Sequence, residues 1–326
     1  MGLNRRGRMG KAGAAVPEVL IATTSFGAED DRPLRLLEER GFRYRVNPHG
    51  RRLTAAEVKA LLGDADGMIA GTEPLNAEVL QAAGRLKVIS RCGVGVDNVD
   101  LATAEALGIA VLTTTGAATN AVAELVLAGI LALLRHLPSL DRRCKAREWK
   151  REMGRLLEDR CVGIVGLGRI GKRVAELVSA FRAQVVAHDL LEDREFARVH
   201  RIEYLPLDSL LRRADIVTLH VNLGPATKGL IRAEQLALMR PGALLVNCAR
   251  GDLVDEVALA DAIRTGHLGG AFLDTFGEEP YVGPLLDLPQ VLVTPHIGAY
   301  TVESRVAMEM EAARNLIQFF ERGGAA

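Results

Sequence analysis

The sequence predicts an α/β protein made of two parallel-sheet domains with a cleft between them. Three observations carry this. Short apolar runs alternate with segments of helical periodicity from Val19 to Leu112, and again from Val162 to Thr294. Such alternation builds parallel sheets through strand–helix–strand units. A length of 326 residues is enough for two domains with sizeable cores. Only the second run carries the glycine pattern Gly166-x-Gly168-x-x-Gly171, and it does so between a strand and a helix.

In the first run, strands are expected at Val19–Thr24, Phe42–Val46, Gly67–Ala70, Leu86–Ser90 and Ile109–Leu112. Helices are expected at Asp31–Arg40, Thr54–Leu62, Asn76–Ala83 and Ala102–Leu107. Thr54 followed three residues later by Glu57 is a capping-box pattern that starts the second of these helices. Ala118–Leu134 reads as a long helix, apolar on most sides and therefore buried. Asp141–Arg151 reads as a polar, charged helix ending near Trp149, the chain's single tryptophan. The second run places strands at Val162–Val165, Gln184–His188, Ile216–His220, Ala243–Asn247, Gly270–Leu273 and Val291–Thr294. Between them lie helices at Lys172–Phe181, Ala233–Met239 and Val257–Thr265. The amphipathic segment Glu303–Phe320 is too short for a domain and is expected to cross back onto the first. The domains are thus 16–115 with 300–326, and 116–299, with a basic, glycine-rich extension at 1–15 expected to be disordered.

The glycine stretch has a physical reading. Gly166 lets the chain turn sharply after its strand. Gly168 removes a Cβ where a pyrophosphate must approach backbone, and Gly171 lets helix and strand pack closely. The helix N-terminus offers unpaired N–H groups and a positive dipole end to phosphates. Asp189, at the end of the next strand and 18 positions after Gly171, suits the ribose hydroxyls of an adenosine and repels a 2′-phosphate. NAD is therefore the expected cofactor, in preference to NADP.

Composition narrows the alternatives. Lys+Arg and Asp+Glu are both 41, so no nucleic-acid or membrane partner is implied. No apolar run approaches the ~20 residues needed to cross a bilayer, and a cytoplasmic location is expected. Cys92, Cys144, Cys161 and Cys248 are scattered without a C-x-x-C pair, as in a reduced protein with neither disulfide frame nor zinc site. No metal is expected.

Ligands of open α/β sheets sit at the carboxyl ends of strands. That rule selects Arg91 and the turn Gly93-Val94-Gly95 in the first domain. In the second it selects His220, the run Asn247-Cys248-Ala249-Arg250-Gly251, Asp274, and Pro295-His296.

The order of these motifs is recognisable. Arg91-Cys92-Gly93-Val94-Gly95-Val96-Asp97-Asn98-Val99-Asp100, Val122-Ala123-Glu124, the glycine stretch, Asn247 to Gly251, Leu273 to Pro280 and Thr294 to Gly298 together resemble the NAD-dependent D-2-hydroxyacid dehydrogenases, most closely the phosphoglycerate dehydrogenase branch. The resemblance covers roughly residues 18–320 and implies two Rossmann-like or flavodoxin-like domains, NAD and a homodimer. It places the catalytic trio at Arg250, Glu279 and His296. It also implies cofactor contacts from Gly166, Gly168, Arg169, Ile170, Gly171, Asp189, His220, Cys248, Ala249, Asp274 and Gly298. Substrate contacts fall to Arg91, Gly93, Val94, Gly95 and Arg250. His188, Leu190, Asn222 and Thr275 depart from the common pattern without removing a catalytic group.

The chemistry suits these residue types. A guanidinium can grip the carboxylate of a 2-hydroxy acid and polarise the adjacent carbon–oxygen bond. Hydride exchange at C2 belongs to the cofactor. The oxygen on C2 gains or loses a proton, a role that suits histidine, and Glu279 would orient the ring and favour its protonated form. Cys248 has no base beside it in sequence and is not read as a nucleophile. Arg91 would suit a phosphorylated acid, with 3-phosphoglycerate the first candidate. A glyoxylate or hydroxypyruvate reductase is the rival within the class, and a dinucleotide-sensing corepressor-like binding protein the rival outside it. No regulatory domain is expected after the last helix, so feedback by serine is not.

Overall fold

The first sheet is built from β1 (Glu18–Ile21), β2 (Arg43–Val46), β3 (Gly67–Ala70), β4 (Val88–Arg91) and β5 (Ala110–Thr113). All are parallel, in the order β2-β1-β3-β4-β5. The structure is a computed structural model and describes residues 16–323; the extension at 1–15, expected to be disordered, lies outside the described residues. Helices α1 (Arg32–Glu39), α2 (Ala55–Leu62), α3 (Ala77–Gln81) and α4 (Leu101–Ala106) connect the strands. The capping box at Thr54 and Glu57 forms as the sequence predicts, each side chain bonding the other's backbone N–H.

The second sheet runs β12-β11-β10-β9-β6-β7-β8. Its strands are β6 (Cys161–Val165), β7 (Gln184–His188), β8 (Glu203–Tyr204), β9 (Ile216–Leu219), β10 (Leu244–Asn247), β11 (Gly270–Leu273) and β12 (Val291–Val293). Read from β8, this is the doubly wound dinucleotide-binding order, extended by one strand. Its helices are α5 (Thr119–Leu134), α6 (Leu137–Lys145), α7 (Arg169–Ala180), α8 (Arg194–His200), α9 (Leu207–Arg213), α10 (Ala233–Leu238) and α11 (Glu256–Arg264). The last helix, α12 (Val302–Glu321), follows β12.

The chain divides into two compact units, one of residues up to Thr115 together with those from Arg305 onward, the other Gly116–Ser304. In the first unit α12 supplies Ala312, Ala313, Leu316, Ile317 and Phe319 to a core with Val19, Ile21, Phe42 and Val88. In the second, α5 and α7 cover one face of the sheet, with Val122, Val126 and Ile130 packed among Ile164, Val174, Val246 and Phe272. A Cβ at Gly129 would overlap the Phe272 ring, so that glycine sets how closely α5 approaches the sheet. Phe272 is almost fully buried, and truncating such a ring costs about 3–5 kcal/mol.

The segment after α5 departs from expectation. The helix expected at Asp141–Arg151 begins earlier, at Leu137, and stops at Lys145. Pro138 sits in its first turn, where a missing N–H costs nothing. Arg147 ends it in the left-handed region, φ 65°. Its N–H donates to Cys144 O and that of Glu148 to Arg143 O, the paired closing bonds of a Schellman end. Residues 148–156 then run without regular structure. Among the described residues no single helix is long and apolar enough to cross a membrane.

Candidate active site

Strand register assembles the site in the second unit. Val165, His188, Leu219, Asn247, Leu273 and Val293 are paired in one row across the sheet. Because all the strands are parallel, the next residue of each, namely Gly166, Asp189, His220, Cys248, Asp274 and Thr294, lines the same carboxyl edge. Five of these six are residues the sequence singles out; Thr294 is the sixth.

At the first position Gly166 has φ 96°, a conformation that favours glycine, and a Cβ there would stand 2.8 Å from the His220 carbonyl carbon. A Cβ at Gly171 would overlap the Gly166 carbonyl oxygen, so this glycine permits the close strand–helix approach. Gly168 differs: a Cβ there meets no protein atom within 4 Å. It is the N-cap of α7 and offers no side chain to that helix's first N–H groups. Arg169 and Ile170 form the helix's first turn. An open cradle before an uncapped helix N-terminus fits a pyrophosphate. Asp189 closes the loop, its Oδ2 accepting from Leu167 N at 2.7 Å and its Oδ1 from Leu191 N at 3.0 Å. The carboxylate thus stands beside the glycine turn, where a ribose following the pyrophosphate would lie.

His220 and Cys248 share this edge but are chemically quiet. Enclosure of its ring drives the His220 imidazole down to about 3, and Nε2 pairs with Thr218 Oγ1 at 2.9 Å. The Cys248 thiol is pushed well above its ordinary range by burial, with the Asp274 charge adding to it. Both shifts favour the neutral forms, so neither residue is assigned an acid, base or nucleophile role.

Asn247, 1% exposed, organises the loop after β10. Its Oδ1 accepts from Ala249 N at 3.0 Å and its Nδ2 donates to Arg250 O at 2.8 Å. Arg250 is half-buried and its Nη1 donates to Ala249 O at 2.7 Å. Asp274, 0% exposed, holds the loop after β12. Its Oδ1 accepts from Thr294 Oγ1 at 2.6 Å and from Ile297 N at 2.8 Å, and its Oδ2 from Gly298 N at 2.7 Å. Burial raises its carboxyl above the ordinary value, and these three donors partly offset that. Gly298 is close-packed, its Cβ position lying 3.0 Å from Asp274 Oδ2. Between the held residues His296 stands at φ 55°, a left-handed conformation uncommon outside glycine. The latch on either side fixes that strained residue.

The His296 ring meets Glu279. Nδ1 lies 3.1 and 3.0 Å from the two carboxylate oxygens. Glu279 Oε1 also accepts from Phe276 N at 3.1 Å, so the acid is tied to its own loop. A carboxylate on Nδ1 puts the proton there and leaves Nε2, on the other side of the ring, to exchange one.

In the first unit Arg91 ends β4 and is 6% exposed. Its Nε donates to Asn98 Oδ1 at 3.0 Å, and Asn98 Nδ2 donates to Glu73 O at 2.7 Å, joining the loops after β3 and β4. Glu73 is 2% exposed, and its Oε1 accepts from Gly71 N at 2.9 Å. Burial pushes its carboxyl up. The Gly93 N–H donates to Thr114 Oγ1 at 2.8 Å, so it is engaged within the unit, while Val94 is exposed and Gly95 half-exposed. Asn98 and Asn247 lie inside motifs the sequence shows; Asn247 bonds the backbone two residues on, a local habit of Asn, whereas Asn98 reaches across to Arg91 and Glu73. Among the described residues no cluster of His, Cys, Asp or Glu could hold a metal.

Known proteins are similar to this chain in sequence and in fold. A sequence model described as D-isomer specific 2-hydroxyacid dehydrogenase, NAD binding domain, matches residues 127–298. The D-3-phosphoglycerate dehydrogenase of Mycobacterium bovis is 45% identical over 253 residues, which are 76% of this chain and 48% of that protein. The chain therefore spans about half the length of that relative. The glyoxylate reductase of Pyrococcus furiosus is 36% identical, covering 93% of this chain and 92% of the relative. The crystal structure of TT0316 protein from Thermus thermophilus superposes with a TM-score of 0.86 at 38% identity, over 94% of this chain and 97% of that one. With the match at 127–298 and the glyoxylate reductase of similar length, the chain belongs to the D-isomer specific 2-hydroxyacid dehydrogenase family, and its second unit carries that family's NAD-binding domain.

Proposed function

We propose that the protein is an oxidoreductase that moves a hydride between NAD and a D-2-hydroxy acid or its 2-oxo partner. The observation that carries this is the His296–Glu279 pair, a ring with one nitrogen fixed by a carboxylate, on the same sheet edge as the glycine cradle. NAD, when bound, supplies or accepts the hydride. Gly166, Gly168, Arg169, Ile170 and Gly171 would hold its pyrophosphate and Asp189 its ribose. Ala249, Asp274, His220, Cys248 and Gly298 would wall the site. Arg250 would grip the substrate carboxylate. His296 Nε2 would take the proton of the C2 hydroxyl in oxidation and return it in reduction, while Glu279 stabilises the imidazolium that forms. Arg91 and the Val94 and Gly95 N–H groups would meet the rest of the substrate.

3-Phosphoglycerate is the first substrate candidate, supported by the 45% identity to a D-3-phosphoglycerate dehydrogenase. Glyoxylate reduction is the second reading, supported by the nearly full-length match to a glyoxylate reductase. Absorbance change at the NADH wavelength across a panel of phosphorylated and unphosphorylated 2-hydroxy and 2-oxo acids tests both. No turnover with any of them overturns the reaction, and binding of NADH without turnover would point to a sensor instead.

A homodimer is the assembly we propose. The irregular stretch after α6 carries Trp149, Met153 and Leu156 at 87%, 91% and 65% exposure. Large apolar side chains grouped at such exposure mark an interaction surface.

A further inference from the structure

The loop that carries Glu279 is held by a second acid. Glu256 is the first residue of α11, behind the N-cap Asp255, whose Oδ1 accepts from Val257 N and Ala258 N at 3.1 and 3.0 Å. The helix start is therefore capped without Glu256. Its own carboxylate points elsewhere, and Oε1 accepts from Gly277 N at 2.8 Å. The adjacent N–H, that of Phe276, donates to Glu279 Oε1. Two successive N–H groups of one loop are thus claimed by two carboxylates, one catalytic by the reading above and one outside it. The other side of the loop has no slack, because a Cβ at Gly251 would overlap the Phe276 carbonyl carbon. The Phe276 ring stacks on Tyr281, centroids 4.4 Å apart. Holding Gly277 costs Glu256 something, since burial, and then the charges of Asp252 and Asp255 nearby, push its carboxyl up. An acid kept among acids is a poor choice for capping alone.

We propose that Glu256 is a positioning residue, fixing the Gly277 N–H so that Glu279 meets His296 Nδ1. This rests on the catalytic reading of those two residues. Its action is through an accepted hydrogen bond and not through charge, so Glu256→Gln, which keeps an acceptor oxygen, should preserve it and Glu256→Ala should not.

The test uses two readouts on the full chain. The first is the proton signal of the His296 Nδ1–H, assigned by its loss in H296N. It should persist in the wild type and E256Q and broaden or vanish in E256A, which needs no turnover to be seen. The second is steady-state reduction of glyoxylate and hydroxypyruvate with NADH. E256A should lose roughly tenfold or more in kcat, with NADH affinity within about twofold of wild type, and E256Q should regain most of the loss. An unchanged signal and kcat in E256A, or E256Q as impaired as E256A, overturns the proposal. If the wild type turns over no acid, the catalytic reading fails while the Nδ1–H signal still decides whether Glu256 sets the pair.

Discussion

Glu279 presents both carboxylate oxygens to one nitrogen of His296, Nδ1, at 3.1 and 3.0 Å. That geometry puts the ring's proton on Nδ1 and leaves Nε2 to exchange one. H296N should therefore lower kcat by roughly 10²–10⁴-fold, the range for losing a positioned acid–base group. E279Q should lower it less, since an amide still bonds Nδ1–H but no longer stabilises the imidazolium. Arg250→Lys should chiefly raise the KM for the acid, since lysine has no planar fork for a carboxylate. Steady-state kinetics in both directions check all three.

The glycines make opposite forecasts. Gly168→Ala meets no protein atom, so the variant should melt near the wild-type temperature yet bind NADH roughly tenfold or more weakly. Gly171→Ala forces a methyl into the Gly166 carbonyl and should lower the melting temperature itself. Calorimetry with NADH titration separates the two. Normal NADH affinity in G168A would remove the pyrophosphate from that cradle.

Asp274→Asn keeps one acceptor oxygen but turns an NH₂ toward a buried N–H, either that of Gly298 or that of Ile297. Leaving such a group unpaired costs about 1–3 kcal/mol. The pH dependence has a definite sign. The folded carboxyl keeps its proton to higher pH than an unfolded one, whose value is 3.8. The folded state binds more protons in that window, so Asp274 makes stability decline as pH rises through it. D274N should flatten that part of the curve, as read by denaturant unfolding at stepped pH.

His220 has the opposite effect, because here the unfolded state binds the extra proton. Its folded value is about 3 against an ordinary 6.5. Below 6.5 the unfolded chain takes a proton that the folded chain refuses, so stability falls as pH drops from 6.5 toward 3, by at most about 1.4 kcal/mol per pH unit. His220→Asn should lessen the fall. An identical slope in H220N would assign acid sensitivity to other groups.

The exposed apolar stretch gives a solution test. Trp149→Ser with Met153→Ser should shift sedimentation toward the monomer while leaving the secondary structure of either unit intact. A wild type that sediments as a monomer at high concentration would remove the dimer.

Much of this was written in local patterns. Six of the second sheet's seven strands fall within a residue or two of the apolar runs, because buried parallel strands read as unbroken apolar stretches; β8, two residues long and not buried, has no such run and is not expected from the sequence. The Thr54–Glu57 box is equally local, a motif complete within four residues. The end of α6 was harder: Lys145 to Arg151 has good helix formers throughout, and what stops the helix is Arg147 entering a left-handed conformation, which no residue type there announces. The pairing of His296 with Glu279 was legible only through the family's motif order, because a sequence separation of 17 hides it. The roles of Asp274, Asn247 and Asn98 as loop latches were not legible as such. A polar residue's partners are backbone groups set by register, and register is a property of the whole sheet. Glu256 was invisible for a related reason, since an acid in a helix's first turn already has a sufficient local explanation.

The helix α12 has a consequence for biosynthesis. Its residues complete a core shared with Val19, Ile21 and Phe42, yet they leave the ribosome long after those strands. The whole of Gly116–Ser304 is made in between, and its sheet can close while the earlier one still waits with apolar strands uncovered. A nascent chain of this protein therefore carries the strands of its first sheet as an exposed, chaperone-binding surface until α12 has emerged.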